Sequence, residues 1–140
     1  MSMPALHHFS ARFRVRYAHP AGAAENRKVL AELLERIAHY CDAAGATLIG
    51  HIKAFAAQPG GGYLNGSVTS ADAPTQVEAS GLQPQDRLEV RLAVLVYGLE
   101  RERLAQIVTL TWQELADEGL LLSVRQQPAP RITKSPKEQP

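Results

Sequence analysis

The residues with the most chemical potential lie in one extended segment of the chain. His51 and Lys53 are two residues apart in a predicted strand, so their side chains share one side of it. A histidine acts as a general base only when a second group positions it, and Glu89 or a serine between Ser67 and Ser70 could do so. However, the sequence has no G-x-S-x-G turn that would expose a nucleophile. We therefore expect no catalytic residue, and the sequence favours a non-enzymatic role.

The histidines and glycines do not form a ligand-binding motif. A zinc site needs converging ligands at paired spacings, but His39 and Cys41, the closest pair, are two residues apart on a helix and point to different sides. Gly60–Gly62 lie between two predicted strands and no Lys-Ser/Thr follows them, which favours a hairpin loop over a phosphate loop. We expect neither a metal nor a cofactor.

The elements that would position these residues follow from hydrophobic periodicity. A first strand is predicted at Phe9–Tyr17, where apolar and polar residues alternate, and a short last strand at 120–124. Three central strands are predicted at 47–57, 63–70 and 86–98, and residues 76–79 form a possible short edge strand. One helix begins between Ala23 and Asn26 and ends near Gly45, and a second occupies 100–116.

This order predicts an α+β fold. Each helix has one apolar stripe, and both stripes need the same sheet surface. The prediction is a ferredoxin-like two-layer sandwich of order β-α-β-β-β-α-β, with both helices on one face of a mostly antiparallel sheet. Residues 1–127 form the single domain. Residues 128–140 are rich in proline and charge, and we expect a disordered tail there.

Composition excludes several classes of function. The net charge is +1, and because residues 128–140 contribute +2 (three basic residues, one acidic), residues 1–127 have about −1. This near-neutral body predicts no nucleic-acid partner. No apolar run is long enough to cross a membrane, and no signal-peptide pattern is present. Cys41 is the only cysteine, which favours a reducing, cytoplasmic location.

The sheet face opposite the helices remains to be explained. Strand alternation assigns to it Arg12, Arg14, Arg16, Ile49, His51, Lys53, Phe55, Asn65, Ser67, Thr69, Glu89, Arg91, Leu95 and Tyr97. Three interpretations are open. The apolar members could form a homodimer or protein interface: Ile49, Phe55, Leu95 and Tyr97. The polar members could instead bind a small anion or serve a small enzyme: Arg12, Arg14, Arg16, His51, Lys53 and Arg91. A solvated face with a few exposed apolar residues is the third. Association is preferred.

Three strand-like runs also resemble a known type of domain. They are Leu48–Phe55 with its Gly-His-Ile-Lys sequence, Leu64–Ser70, and Leu88–Val96. This order resembles small accessory domains associated with CobW-type metallochaperone GTPases, over roughly residues 28–118. The resemblance implies a module that works beside another protein. The chain has neither a nucleotide-binding loop nor a C-x-C-C motif, so GTP hydrolysis and metal transfer are not implied.

Overall fold

In the computed structural model, which describes residues 5–128, two helices pack on one face of a six-stranded antiparallel sheet. The elements in chain order are β1 (Leu6–Ala21), α1 (Ala23–Ala43), β2 (Leu48–Ala57), β3 (Tyr63–Val68), β4 (Gln76–Ser80), β5 (Gln85–Tyr97), α2 (Arg101–Asp117) and β6 (Ser123–Gln127). The strand order across the sheet is β4-β3-β2-β5-β1-β6. The α+β class and the two-layer arrangement predicted from the sequence are confirmed.

The core lies between the helices and the sheet. Every residue of the two predicted helical stripes is buried, namely Leu30, Leu33, Leu34, Ile37 and Cys41 of α1 and Leu104, Ile107, Val108, Thr111 and Leu115 of α2. Leu30 and Leu34 approach β3 so closely that any side chain at position 66 would displace a leucine methyl group. A Cβ on Gly66 would lie 2.7 Å from Leu34 Cδ1. The helices therefore pack tightly on the central part of one sheet face.

The predicted strand order was one strand short. The possible edge strand at 76–79 is confirmed as β4, so the chain order is β-α-β-β-β-β-α-β. The last strand is also displaced, from the predicted 120–124 to β6 (Ser123–Gln127). The reason is that Leu121 is used in the core, with only 4% of its surface exposed, before the chain enters the sheet.

The placement of Ile49 was wrong, because β2 contains a bulge. Ile49 pairs with Val96 and His51 pairs with Leu95, so Gly50 is an extra residue with no partner of its own. Strict alternation puts Ile49 on the same side as His51. The extra residue reverses that relation, and Ile49 is buried on the helix side at 8% exposure.

Side-chain hydrogen bonds hold β4 at the edge of the sheet. The buried Gln58 amide bonds to the backbone of Gln83 twice, donating to its oxygen at 2.8 Å and accepting from its N–H at 2.9 Å. Arg27 of α1 donates to the Val77 carbonyl at 3.1 Å. Thus Arg27 ties β4 itself to a helix, and Gln58 ties the connection from β4 to β5 to the β2–β3 turn.

Charged residues of the helix layer pair with one another. Arg36 contacts Glu32, four residues before it in α1, and also Glu118, the residue that directly follows α2, at 2.6 Å. The hydrogen bond from Arg36 holds the pKa of Glu118 below its ordinary value. Tyr40 donates to Glu114, which raises the pKa of the Tyr40 phenol. These contacts join α1 to α2, and they leave the open sheet face untouched.

The predicted tail at 128–140 lies outside the described residues, apart from Pro128. Within residues 5–128, neither helix is long and apolar enough to cross a membrane.

Replacing Leu34 tests the contact between α1 and β3. We expect Leu34→Ala to lower the free energy of unfolding by about 2–5 kcal/mol, since it leaves a cavity in a sealed core. Gly66→Ala alone should also destabilise, because its methyl group meets Leu34. In the double variant that methyl enters the vacated space, so the two losses should not add. Urea denaturation measures all three variants, and strictly additive losses would contradict the packing described.

Deleting Gly50 tests the bulge. The deletion would bring Ile49 and His51 into unbroken register against Val96 and Leu95, without changing the face of either side chain. We expect a loss of about 1 kcal/mol or less. Deleting Ala54 from the regular part of the same strand is the control, and should unfold the protein because it reverses the faces of the residues on one side of the deletion. Equal damage from both deletions would show that Gly50 is not the extra residue.

Candidate functional site

The open face of the sheet contains a cavity of about 790 Å³. This volume lies in the range of small-molecule sites. All six strands contribute side chains that alternation directs to this face: Ser10, Arg12, Lys53, Phe55, Asn65, Ser67, Gln76, Glu78, Arg91, Ala93 and Gln127. Arg101, from the first turn of α2, also lines the cavity. The cavity therefore occupies the middle of the face that the helices leave uncovered.

One row of directly opposed residues crosses the cavity. Strand register places Glu78 of β4 opposite Asn65, Asn65 opposite Phe55, Phe55 opposite Arg91, and Arg91 opposite Arg12. Residues opposed in this way share a face and lie side by side. With neighbouring strands about 4.8 Å apart, the row extends roughly 19 Å from the carboxylate to the last guanidinium. An acidic end and a basic end thus face each other across one aromatic ring.

The basic groups in the cavity are not neutralised. No ion pair among residues 5–128 includes Arg12, Lys53 or Arg91. Arg12 and Arg91 are direct cross-strand neighbours, an arrangement that destabilises a sheet when the charges are alike. Arg14 and Glu89 also oppose each other, two residues away on the same two strands. Their charges are opposite in sign, and they form an ion pair at 2.8 Å. The cavity therefore concentrates uncompensated positive charge.

Arg12 also has an unused hydrogen-bond donor. Its Nη2 donates to the Pro128 carbonyl at 3.2 Å, which anchors one end of the guanidinium. Its Nε is shielded from solvent and has no partner within the described residues. Unpartnered buried donors are rare in folded proteins, and a ligand is one physical reason to retain one.

Phe55 provides the apolar surface of the cavity. Its ring stacks on Tyr63 with centroids 6.0 Å apart and planes 19° from parallel. Phe55 nevertheless remains 39% exposed. The neighbouring ring limits the rotamers available to Phe55, so the exposed surface is held in place and available for a planar partner.

The structure brings together only part of the predicted ligand-binding set. Arg12, Lys53 and Arg91 line the cavity. Arg14 is engaged with Glu89, and Arg16 lies opposite Arg87 beyond the cavity.

The structure does not place Glu89 or Ser67, two of the predicted partners of His51, next to its imidazole. His51 lies opposite Leu95, whereas Glu89 is six residues away along β5, about 20 Å at the strand rise. Ser67 lies opposite Lys53 and not opposite His51. Neither Glu89 nor Ser67 therefore lies directly opposite the imidazole, where it could position His51 as a general base.

The predicted interface residues separate into three environments. Ile49 is in the core, and Phe55 belongs to the cavity. Leu95 and Tyr97 are partly exposed near one end of the open face. There Tyr97 lies between Leu48 and Leu6, which are 60% and 46% exposed. Leu48, Tyr97 and Leu6 form what we call the end row.

Sequence reasoning missed two charged groups of the site. Glu78 lies in the segment treated only as a possible edge strand, and its alternation with Val77 and Ala79 was the available signal. Arg101 reaches the cavity from a helix, and no sequence periodicity indicates such a contact.

Hydrogen-bond donors predominate among the charged and amide groups that line the cavity. No histidine or cysteine lines the cavity, and no group of three or more potential metal ligands occurs among residues 5–128. Guanidinium, ammonium and amide groups are donors that hold anions in place. No family model, curated protein or solved structure matches the chain.

Proposed function

We propose that this protein is a non-enzymatic binding module that holds an anionic small molecule on the open face of its sheet. The observation that supports this most is a group of four cations in one cavity, Arg12, Lys53, Arg91 and Arg101, none of which has an ion pair within residues 5–128. On an ordinary solvated face, such cations would be expected to alternate with acids, as Arg14 and Glu89 do. A bound anion would remove their mutual repulsion and accept hydrogen bonds from the exposed guanidinium and ammonium groups.

The same charges disfavour a dimer formed through the centre of the sheet. A two-fold contact would bring each patch against its own copy. Wherever the axis lies, each cavity would bring four cations, Arg12, Lys53, Arg91 and Arg101, and only one acid, Glu78, so the buried contact would keep an excess of positive charge. Burying like charges without partners is strongly unfavourable. An anionic ligand satisfies this surface better than a second subunit does.

Association through the end row is the second candidate. Leu6 and Leu48 are among the most exposed large apolar residues of the molecule, and Tyr97 lies between them. A row of this kind across three strands favours contact with another apolar surface, and a second copy of the chain supplies one. This contact would leave the cavity free, so it is compatible with ligand binding.

We further propose that the fold is a ferredoxin-like core with an added edge. The order β6-β1-β5-β2, with helices after β1 and β5, supports this interpretation, and β3 and β4 then extend the sheet beyond β2. The proposed partnership with a CobW-type GTPase depends on the sequence resemblance alone. A cytoplasmic location likewise stays a prediction from the sequence.

Pyrophosphate is the simplest probe of the proposed anion site. We expect isothermal titration calorimetry at low ionic strength to show binding to the wild-type protein, weakened by added salt because the site is exposed. Arg91→Gln should raise the Kd about tenfold, the usual effect of losing one charge-assisted hydrogen bond. Arg87→Gln is the matched control, since Arg87 lies on the same strand and face but outside the cavity. Equal losses in both variants, or no binding to the wild type, would refute an anion site in the cavity.

Leu48→Glu tests association through the end row. On this proposal the wild type forms a dimer at micromolar concentration, and Leu48→Glu gives a 15.2 kDa monomer because a carboxylate would be buried without a partner. Leu110→Glu is the control, since Leu110 is 50% exposed on α2, away from the open face. Light scattering distinguishes the forms. A monomeric wild type would eliminate this candidate and leave the anion site unaffected.

A further inference from the structure

The cavity has two chemically different halves, separated by an aromatic ring. On one side of Phe55 lie the cations of β5 and β1, Arg91 and Arg12. On the other side lie the amide of Asn65 and the carboxylate of Glu78. Each half extends about two strand spacings, roughly 10 Å, from the ring. A ligand that fills the cavity must therefore match three kinds of surface in a fixed order.

Simple anions do not match this order. Inorganic phosphate or sulfate would use only the basic half and would leave Phe55 exposed. A fatty acid would cover Phe55, but its chain would then run along the polar side chains of Asn65 and Glu78. The acidic end requires a ligand that donates hydrogen bonds, because a carboxylate only accepts them.

We infer that the ligand is a mononucleotide, with its phosphates on Arg12 and Arg91 and its base stacked on Phe55. The sugar hydroxyls or an exocyclic amino group would donate to Glu78. This inference rests on the proposed anion site and specifies the class of its ligand. Arginine binds phosphate oxygens through paired N–H groups, and every base presents a flat face to an aromatic side chain.

The cavity suits a single nucleotide better than a strand of nucleic acid. Surfaces that bind single strands present several aromatic side chains, one for each successive base. Here Phe55 is the only phenylalanine or tyrosine whose side chain alternation directs into the cavity; Phe9 contributes to the lining from a core-facing position with 7% exposure. One stacking surface with cations on one side of it therefore predicts one base and its phosphates.

Calorimetry with ADP, pyrophosphate and adenosine tests the inference. We expect ADP to bind at least tenfold more tightly than pyrophosphate, because it adds the contact with Phe55. Adenosine should bind more weakly than ADP, since it lacks the charge for Arg12 and Arg91. If pyrophosphate binds as tightly as ADP, the anion site stands and the nucleotide inference is overturned. If neither binds, both proposals fail.

Two variants separate the halves of the ligand. Phe55→Leu should raise the Kd for ADP roughly 5- to 100-fold and leave the Kd for pyrophosphate unchanged. Glu78→Gln should weaken ADP binding without weakening pyrophosphate binding, because the carboxylate meets only the nucleoside. Arg87→Gln again serves as the control and should alter neither value. Circular dichroism melts confirm that each variant is folded. Unchanged ADP affinity in folded Phe55→Leu would overturn the inference.

A single-stranded oligonucleotide provides the last comparison. We expect a ten-residue deoxythymidine oligonucleotide to bind no more tightly per site than TMP. Much tighter binding of the oligonucleotide, with a steep dependence on salt, would show that the face follows a strand and would contradict a mononucleotide site.

Discussion

Both helices pack on the same face of the sheet, and the remaining properties of the molecule depend on this one-sided arrangement. The apolar stripes of α1 and α2 are satisfied by the inward residues of β1, β2, β3 and β5. Because successive strand residues point to opposite faces, every inward residue fixes the orientation of its neighbours. The side-chain orientations on the uncovered face are therefore fixed as firmly as those in the core. Its side chains are held at strand spacing by a backbone that the core makes rigid.

Because the backbone is rigid, charged side chains on the open face cannot move away from one another. An exposed lysine or arginine in a loop can move away from a like charge, whereas Arg12 and Arg91 are opposed by the register itself. In the helix layer, positive charge is compensated in the usual way, since Arg36 is surrounded by the carboxylates of Glu32, Glu114 and Glu118. The absence of such carboxylates around Arg12 and Arg91 within the described residues is what separates a candidate site from an ordinary polar surface.

The sequence predicts the core better than the site, for a physical reason. Helical stripes such as Leu30 to Cys41 extend over several turns, so one irregular residue does not alter the outcome. In a strand, by contrast, one extra residue reverses the faces of all residues beyond it. The single extra residue Gly50 was enough to assign Ile49 to the wrong face of the sheet. Phe55, Lys53 and Arg91 were assigned to the correct face because no bulge intervenes between them and their partners.

What alternation cannot supply is the order of strands across the sheet. Glu78 and Arg12 are far apart in sequence, and they share a row only because β4 and β1 lie on opposite sides of β2 and β5. The pairing of β4 depends on local contacts, including the Gln58 amide and the Arg27 guanidinium, which no periodicity reveals. Alternation could therefore have assigned Glu78 to a face of its strand, but the sequence does not show that Glu78 lies at one end of the row that contains Arg91 and Arg12.

The two opposed arginines of the cavity lie on strands that are hydrogen-bonded to a neighbour on both sides. Like charges directly opposed in a sheet cost about 0.2–1 kcal/mol, and an edge strand with few partners would fray under that repulsion. β1 and β5 are paired without interruption from Leu6–Tyr97 to Arg16–Arg87, and each is also paired on its other side. These two strands can hold Arg12 beside Arg91 without separating. A ligand that neutralises the pair would then stabilise the folded state by RT ln(1 + [L]/Kd), because it binds the folded sheet, in which the register holds the two charges together, and not the unfolded chain.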